Sequence, residues 1–300
     1  MRSILLPLLA VTATACSPDY KVSPDVSDSP ADDTAAPTDE THDTGTPPDG
    51  DTSEPPDEEP GRPIAVCDVY PNPVRPPTES ATWDGSASYD PDGIPLTRYE
   101  WTLIAQPTGS TMTIEGTGPV RGGFVPLLGG TYTGQLVVTN EAGIESNPCT
   151  IDLEAIPEED LWVEMYWQHS GDDMDLHMMA PGKSLSQKET NWDCYYANCD
   201  GRDGLEWGAA GTADNPFLDL DDIPGVGPEN INIDAPESTG DYTVFVNDYP
   251  GSTYSAANDV TVNIYIDGTL LYSDTKTVTG ENSYTTFATI TYATRTVTGY

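Results

Sequence analysis

The sequence predicts an all-β protein, with two β-sandwich domains behind a disordered acidic linker. Past the N-terminus no apolar stretch carries the helical period. Short runs rich in Val, Thr, Tyr and Ile instead alternate with clusters of Gly, Pro, Asn and Asp, the pattern of strands and turns. The length, 300 residues, leaves room for two ordinary domains plus unstructured chain.

Charge narrows the partners. Fifty acidic residues against 11 basic ones give a formal charge of −39. Neutralising phosphates takes clustered Lys and Arg, so the balance argues against nucleic acid. It also argues against docking on anionic lipid through a basic patch. An exported chain this acidic collects divalent cations, calcium among them.

Residues 1–15 carry one charge (Arg2), an apolar run from Ile4 to Val11, and small residues ahead of Cys16. This reads as a signal peptide, too short for a transmembrane helix. Ala13-Thr14-Ala15-Cys16 resembles a bacterial lipoprotein cleavage site, with Ala13 where that family usually has Leu. The resemblance implies that Cys16 is lipidated and anchors the chain in a membrane. Ser17 then implies the outer membrane, with the chain facing the periplasm or the cell surface. A plain cleaved signal with a stray Cys is the alternative. Residues 16–62 are Asp, Glu, Pro, Thr and Ser with almost no large apolar side chain. Such a segment cannot offset its conformational entropy, so disorder is expected. Like charges and prolines extend it into a spacer.

With Cys16 set aside, four cysteines remain. Two Cys without nearby His make a poor zinc set, and an oxidising compartment favours disulfides. Cys67 is expected to pair with Cys149 near the two ends of the first domain, stabilising it by roughly 4 kcal/mol in the chain-entropy model. Cys194 and Cys199 would close the small loop DCYYANC.

Residues 63–157 form the first domain. Asp84-Gly85-Ser86, Ser88-Tyr89-Asp90-Pro91-Asp92-Gly93, Tyr99-Glu100-Trp101 and Gly130-Thr131-Tyr132, leading into Leu136-Val137-Val138, resemble the PKD (polycystic kidney disease) repeat. That resemblance implies an immunoglobulin-like sandwich, in a family of spacers and contact modules. Asp90-Pro91-Asp92-Gly93 reads as a turn, and Trp101 as a core anchor. Asn140 stands where the family usually has Asp. Asp84, Asp90 and Asp92 are expected to form and cap turns rather than to hold calcium.

Residues 158–293 form the second domain and 294–300 a tail. Leu161–Gln168 alternates as a half-buried strand should, and strands follow at Asp241, Val260, Thr269 and Tyr284. Asp267-Gly268 signals a hairpin. About eight strands favour a jelly-roll-like sandwich. Trp167 with Asp173, Asp175, Leu176 and His177, Trp192-Asp193-Cys194, Trp207-Gly208, Asp214–Pro216 and Asp221–Asn230 resemble an uncharacterised sandwich similar to the YfaP-like family. That domain closes PKD-containing lipoproteins of Gram-negative bacteria, so the resemblance implies fold and location but no activity.

Two dense acidic loops, Gly171–His177 and Asp214–Glu229, stand out in this domain. Crowded carboxylates repel one another, and a hard cation taking six to eight oxygens would relieve them. Asp173 and Asp175, two apart and on one side of a strand, are candidate Ca2+ ligands with Asp214, Asp221 and Asp222. No EF-hand pattern is present; solvated turn aspartates are the competing reading. His177 is expected to be a hydrogen-bonded structural group rather than a base or metal ligand.

Three function classes stay open. The best supported is a non-catalytic surface module for adhesion or ligand recognition, its partner a surface protein or a carbohydrate. Trp192, Tyr195, Tyr196 and Trp207 would then be contact aromatics or core, with core favoured for the tryptophans. The second class is a glycosidase-like hydrolase using paired carboxylates. No G-x-S-x-G, HExxH or Ser–His–Asp set supports it, and no catalytic residue is assigned. The third is an inert structural spacer.

Overall fold

The computed structural model describes residues 61–201, 204–223 and 225–300. The expected signal peptide, Cys16 and the expected linker up to residue 60 lie outside the described residues. The described ones all fall in one compact unit, Pro56–Tyr300.

Six strands build the first sandwich: β1 (Asp68–Tyr70), β2 (Ala81–Asp84), β3 (Leu96–Ala105), β4 (Val120–Phe124), β5 (Gly130–Asn140) and β6 (Cys149–Ala155). They form two antiparallel three-stranded sheets, β1-β2-β4 and β3-β5-β6. Period-two burial is clearest on β5, where Tyr132, Gly134, Leu136 and Val138 face inward between half-buried neighbours. Trp83 fills the centre, 5.8 Å from Trp101 and edge-on to Phe124 at 5.4 Å. The Cys67–Cys149 disulfide ties the ends of the domain together.

The turn aspartates are spent on the turn. Asp90 accepts from the Asp92 backbone N–H at 2.9 Å and from Asn140 Nδ2 at 2.8 Å. Asp84 accepts from Ser86 N at 2.8 Å. An aspartate at position 140 would lose the Nδ2 donor, so Asn140 suits a turn closed without an ion.

Ten strands build the second sandwich: β7 (Leu161–Trp167), β8 (Met174–Met179), β9 (Asp193–Cys194), β10 (Phe217–Leu220), β11 (Glu229–Ile233), β12 (Tyr242–Asp248), β13 (Asn258–Ile266), β14 (Thr269–Val278), β15 (Tyr284–Thr291) and β16 (Thr296–Gly299). They make two five-stranded antiparallel sheets, β10-β11-β7-β13-β14 and β16-β15-β12-β8-β9, over one apolar core. At the β13–β14 hairpin Asp267 and Gly268 have φ of 51° and 72°, the left-handed pair that a two-residue turn requires.

Two expectations are corrected. Residues 294–300 are not a tail: Thr296–Gly299 pairs with β15 as an edge strand, after Arg295 reverses the chain at φ 54°. Nor is β7 half-buried, because it is the middle strand of its sheet and is covered on both faces. Leu161, Val163, Met165 and Trp167 enter the core of their own sandwich. On the opposite face, Glu164 and Tyr166 meet loops of the first sandwich. A Cβ at Gly109 would fall 2.4 Å from the Tyr166 ring, and Glu164 accepts from Gly129 N at 3.0 Å. The polar-looking half of the alternation is therefore buried by the neighbouring sandwich.

Candidate functional site

The acidic site begins at β8. Met174, Leu176 and Met178 enter the core, so Asp175 and His177 fall on the opposite face. Ile231 and Ile233 of β11 are core residues too, and Glu229, two positions before Ile231, shares their side. The loop between β10 and β11 brings in Asp221. Ligand atoms of Asp175, Asp221 and Glu229 all lie within 4.8 Å of one another. Glu229 is held there by its Oε2, which accepts the Leu176 N–H at 2.7 Å.

Two oxygens of this cluster lack a partner although they are buried: Asp175 Oδ2 and Glu229 Oε1, on side chains only 3% and 1% exposed. Burial pushes Asp175 up to about 8, with Asp173 and Asp221 adding to it. Burial raises Glu229 well above its ordinary range, and the Asp175 charge raises it further. Asp173 is pushed up to about 6, first by burial and then by Asp221. Each of these carboxyls feels other carboxylates and no compensating base.

Of the five predicted ligands the structure brings Asp175 and Asp221 together, with Asp173 in electrostatic reach. Asp222 and Asp214 fall outside the close group of three. Asp222 braces its own loop, Oδ1 accepting from Gly225 N at 3.2 Å and Oδ2 from Gly227 N at 2.8 Å. Asp214 Oδ2 accepts from Ala209 N at 2.6 Å and faces Gly208 and Glu237 instead. Glu229 completes that group. The signal for it was a charged residue opening the run Asn230-Ile231-Asn232-Ile233, which reads as an interior strand. An all-carboxylate donor set suits a hard cation such as Ca2+ rather than a soft one, with backbone carbonyls and water completing the shell. The raised carboxyl of Asp175 is what a general acid needs, and both Asp175 and Glu229 are buried.

A second feature occupies the same face of β8. A cavity of about 170 Å³ is lined by His177, Glu189, Tyr195, Tyr196, Asn247, Tyr249, Pro250, Asn282 and Tyr284. Its floor is a strand register: His177 pairs with Phe245, while Asn247 pairs with both Asp175 and Tyr284. His177 is buried, stacked between Phe245 at 4.7 Å and Tyr195 at 5.0 Å, with Nδ1 2.9 Å from Asp193 Oδ2. That is the structural role expected of it on one ring nitrogen. The Cys194–Cys199 disulfide closes the loop that delivers Tyr195 and Tyr196. Of the aromatics singled out in the sequence, Trp207 is core, whereas Trp192 is 39% exposed beneath the Lys183 ammonium. The sequence did not point to Tyr249 or Tyr284.

No protein-family model and no curated protein matches the chain. Among solved structures it is similar to the PKD1 domain of Vibrio anguillarum Epp, with 20% identity over 32% of this chain and 99% of that one and a TM-score of 0.24. It is also similar to a structure described as a carbohydrate-binding module of the β-sandwich superfamily, with 13% identity over 71% of this chain and 100% of that one and a TM-score of 0.29. The two sandwiches stand on their own strands, and neither likeness is close enough to bear on function. No described helix is long and apolar enough to cross a membrane.

Proposed function

We propose that the chain is a non-catalytic recognition module of the cell envelope, held at the outer membrane by a lipid on Cys16. Its C-terminal sandwich takes one Ca2+ between Asp175, Asp221 and Glu229. The observation that carries the ion is the pair of buried, unpartnered oxygens, Asp175 Oδ2 and Glu229 Oε1, in a cluster with a third carboxylate. An unpaired buried carboxylate is costly, and a divalent cation offsets the burial and the mutual repulsion together. The export half of the reading is supported by the two disulfides and by the leader-like first 15 residues.

Calorimetric titration of chelator-stripped protein with Ca2+ tests the ion, repeated on Asp221→Asn, whose side chain is exposed and whose loss leaves the core untouched. Saturable binding that this change abolishes supports the site. Absence of binding heat with no shift in melting temperature removes it and leaves a cluster that holds protons instead.

A further inference from the structure

The tyrosine-lined cavity carries one carboxylate, Glu189, beside the amides of Asn247 and Asn282 and the hydroxyls of four tyrosines. His177 Nδ1 is engaged by the Asp193 carboxylate at 2.9 Å. Asn247 donates its Nδ2 to Ser283 O at 2.9 Å, which leaves Oδ1 as the acceptor of that amide. Glu189 adds a carboxylate to the wall and takes the Tyr284 hydroxyl hydrogen. No Lys or Arg is among the lining residues.

Aromatic rings supply the remaining walls. Tyr196 stands at 89° to Tyr195 and at 86° to Tyr249, with centroids 5.3 and 5.5 Å apart, so ring faces are presented in more than one direction. The chain already sets ammonium groups on rings nearby: Lys188 Nζ is 4.6 Å from the Tyr284 ring and Lys183 Nζ 3.7 Å from Trp192. Burial, then the charges of Glu189 and Asp193, hold the Tyr195 hydroxyl above its ordinary value, which marks the negative potential here. An ammonium on an aliphatic stem needs acceptors and ring faces, as found here.

We propose that this pocket binds the ammonium of a lysine side chain presented by a partner polypeptide, with its stem against Tyr196 and Tyr249. The inference deepens the recognition reading above and uses none of the proposed calcium ligands.

The test is titration of the full chain with Nα-acetyl-lysine methylamide, in calcium and again in chelator, beside the neutral Nα-acetyl-norleucine methylamide and glucosamine. Saturable binding of the lysine probe alone is expected. Tyr196→Ala should weaken it about tenfold and Glu189→Gln about fivefold, in the range of a cation–π contact and a screened charge pair. Both side chains are exposed, so the fold should survive either change. Equal binding of the norleucine probe, preference for glucosamine, no saturable binding, or indifference to both substitutions would each overturn the proposal. Lysine binding without calcium heat would sink the ion site alone; calcium heat without lysine binding would sink the pocket alone.

Discussion

The carboxylate of Glu164, on the central strand of the second sandwich, accepts the backbone N–H of Gly129 in the first at 3.0 Å. The same Oε2 takes Trp162 Nε1 at 3.1 Å, while Oε1 takes Asn263 Nδ2 at 3.0 Å and the Tyr265 hydroxyl at 3.3 Å. The single Tyr265 hydroxyl hydrogen is shared between that oxygen and Gly129 O, 3.1 Å away. One buried acid thus pins a loop of one sandwich to the sheet of the other.

Removing that acid should uncouple the two. Glu164→Ala leaves several buried donors without an acceptor, each costing about 1–3 kcal/mol. We expect a loss of about 3 kcal/mol in urea unfolding, and a transition that broadens or splits as the sandwiches unfold separately. A single transition of unchanged midpoint would show that Glu164 is not the link.

pH should act on the same residue. Burial holds the Glu164 carboxyl above its ordinary range even against its four donors, and burial followed by Asp172 pushes Asp248 up to about 6. Both groups, like Asp173, Asp175 and Glu229 of the acidic cluster, titrate higher in the folded chain than in the unfolded one. The unfolded chain therefore releases its protons first as pH rises, and stability falls over that window. Asp84 and Asp90 are held low, chiefly by hydrogen bonds from Ser86 and Asn140, so their contribution is lost only towards stronger acid. In chelator, the melting temperature should be higher near pH 4.5 than at pH 7, and Glu164→Gln should flatten the slope. A melting temperature that climbs over this range contradicts the assignment.

Packing in the first sandwich makes a sharper claim. A Cβ at Gly134 would sit 2.4 Å from the ring of fully buried Trp83, so the indole rests on bare backbone of β5. Gly134→Ala should cost about 1–3 kcal/mol through overpacking. Near-ultraviolet circular dichroism of the tryptophans should change with it; an unperturbed spectrum and stability would mean that Trp83 can move aside freely.

How much of this was legible in the sequence depends on what each residue's neighbours are. The strands of β5 and the Asp267-Gly268 hairpin were readable because period-two alternation and left-handed turn residues are local signals. Both disulfides were readable because Cys16 could be set aside and four cysteines remained. The burial of Glu164 was not, since it comes from a loop 35 residues away along the chain. The acidic site was half legible: density along the chain pointed to Asp175 and Asp221. Density could not separate Asp222, which spends both oxygens on its own loop, from Glu229, which a strand carries across to β8. Tyr249 and Tyr284 join Tyr195 and Tyr196 only through the β12–β15 register, which no local pattern announces.

The contrast between Asp221 and Asp222 gives the most discriminating test of the site. The two are adjacent in sequence and equal in charge, so any effect of general acidity is the same for both. Asp222 accepts from Gly225 N and Gly227 N, whereas the Asp221 carboxylate lies within 4.8 Å of the ligand atoms of Asp175 and Glu229. Asp222→Ala should lower stability by about 1–2 kcal/mol through its lost loop hydrogen bonds while keeping one bound calcium. Asp221→Ala should abolish the calcium heat. In chelator it should raise the melting temperature slightly, because a repelling charge has been removed from beside two buried carboxyls. If both substitutions weaken calcium equally, the loop as a whole is collecting ions diffusely, and the two buried oxygens are neutralised by protons.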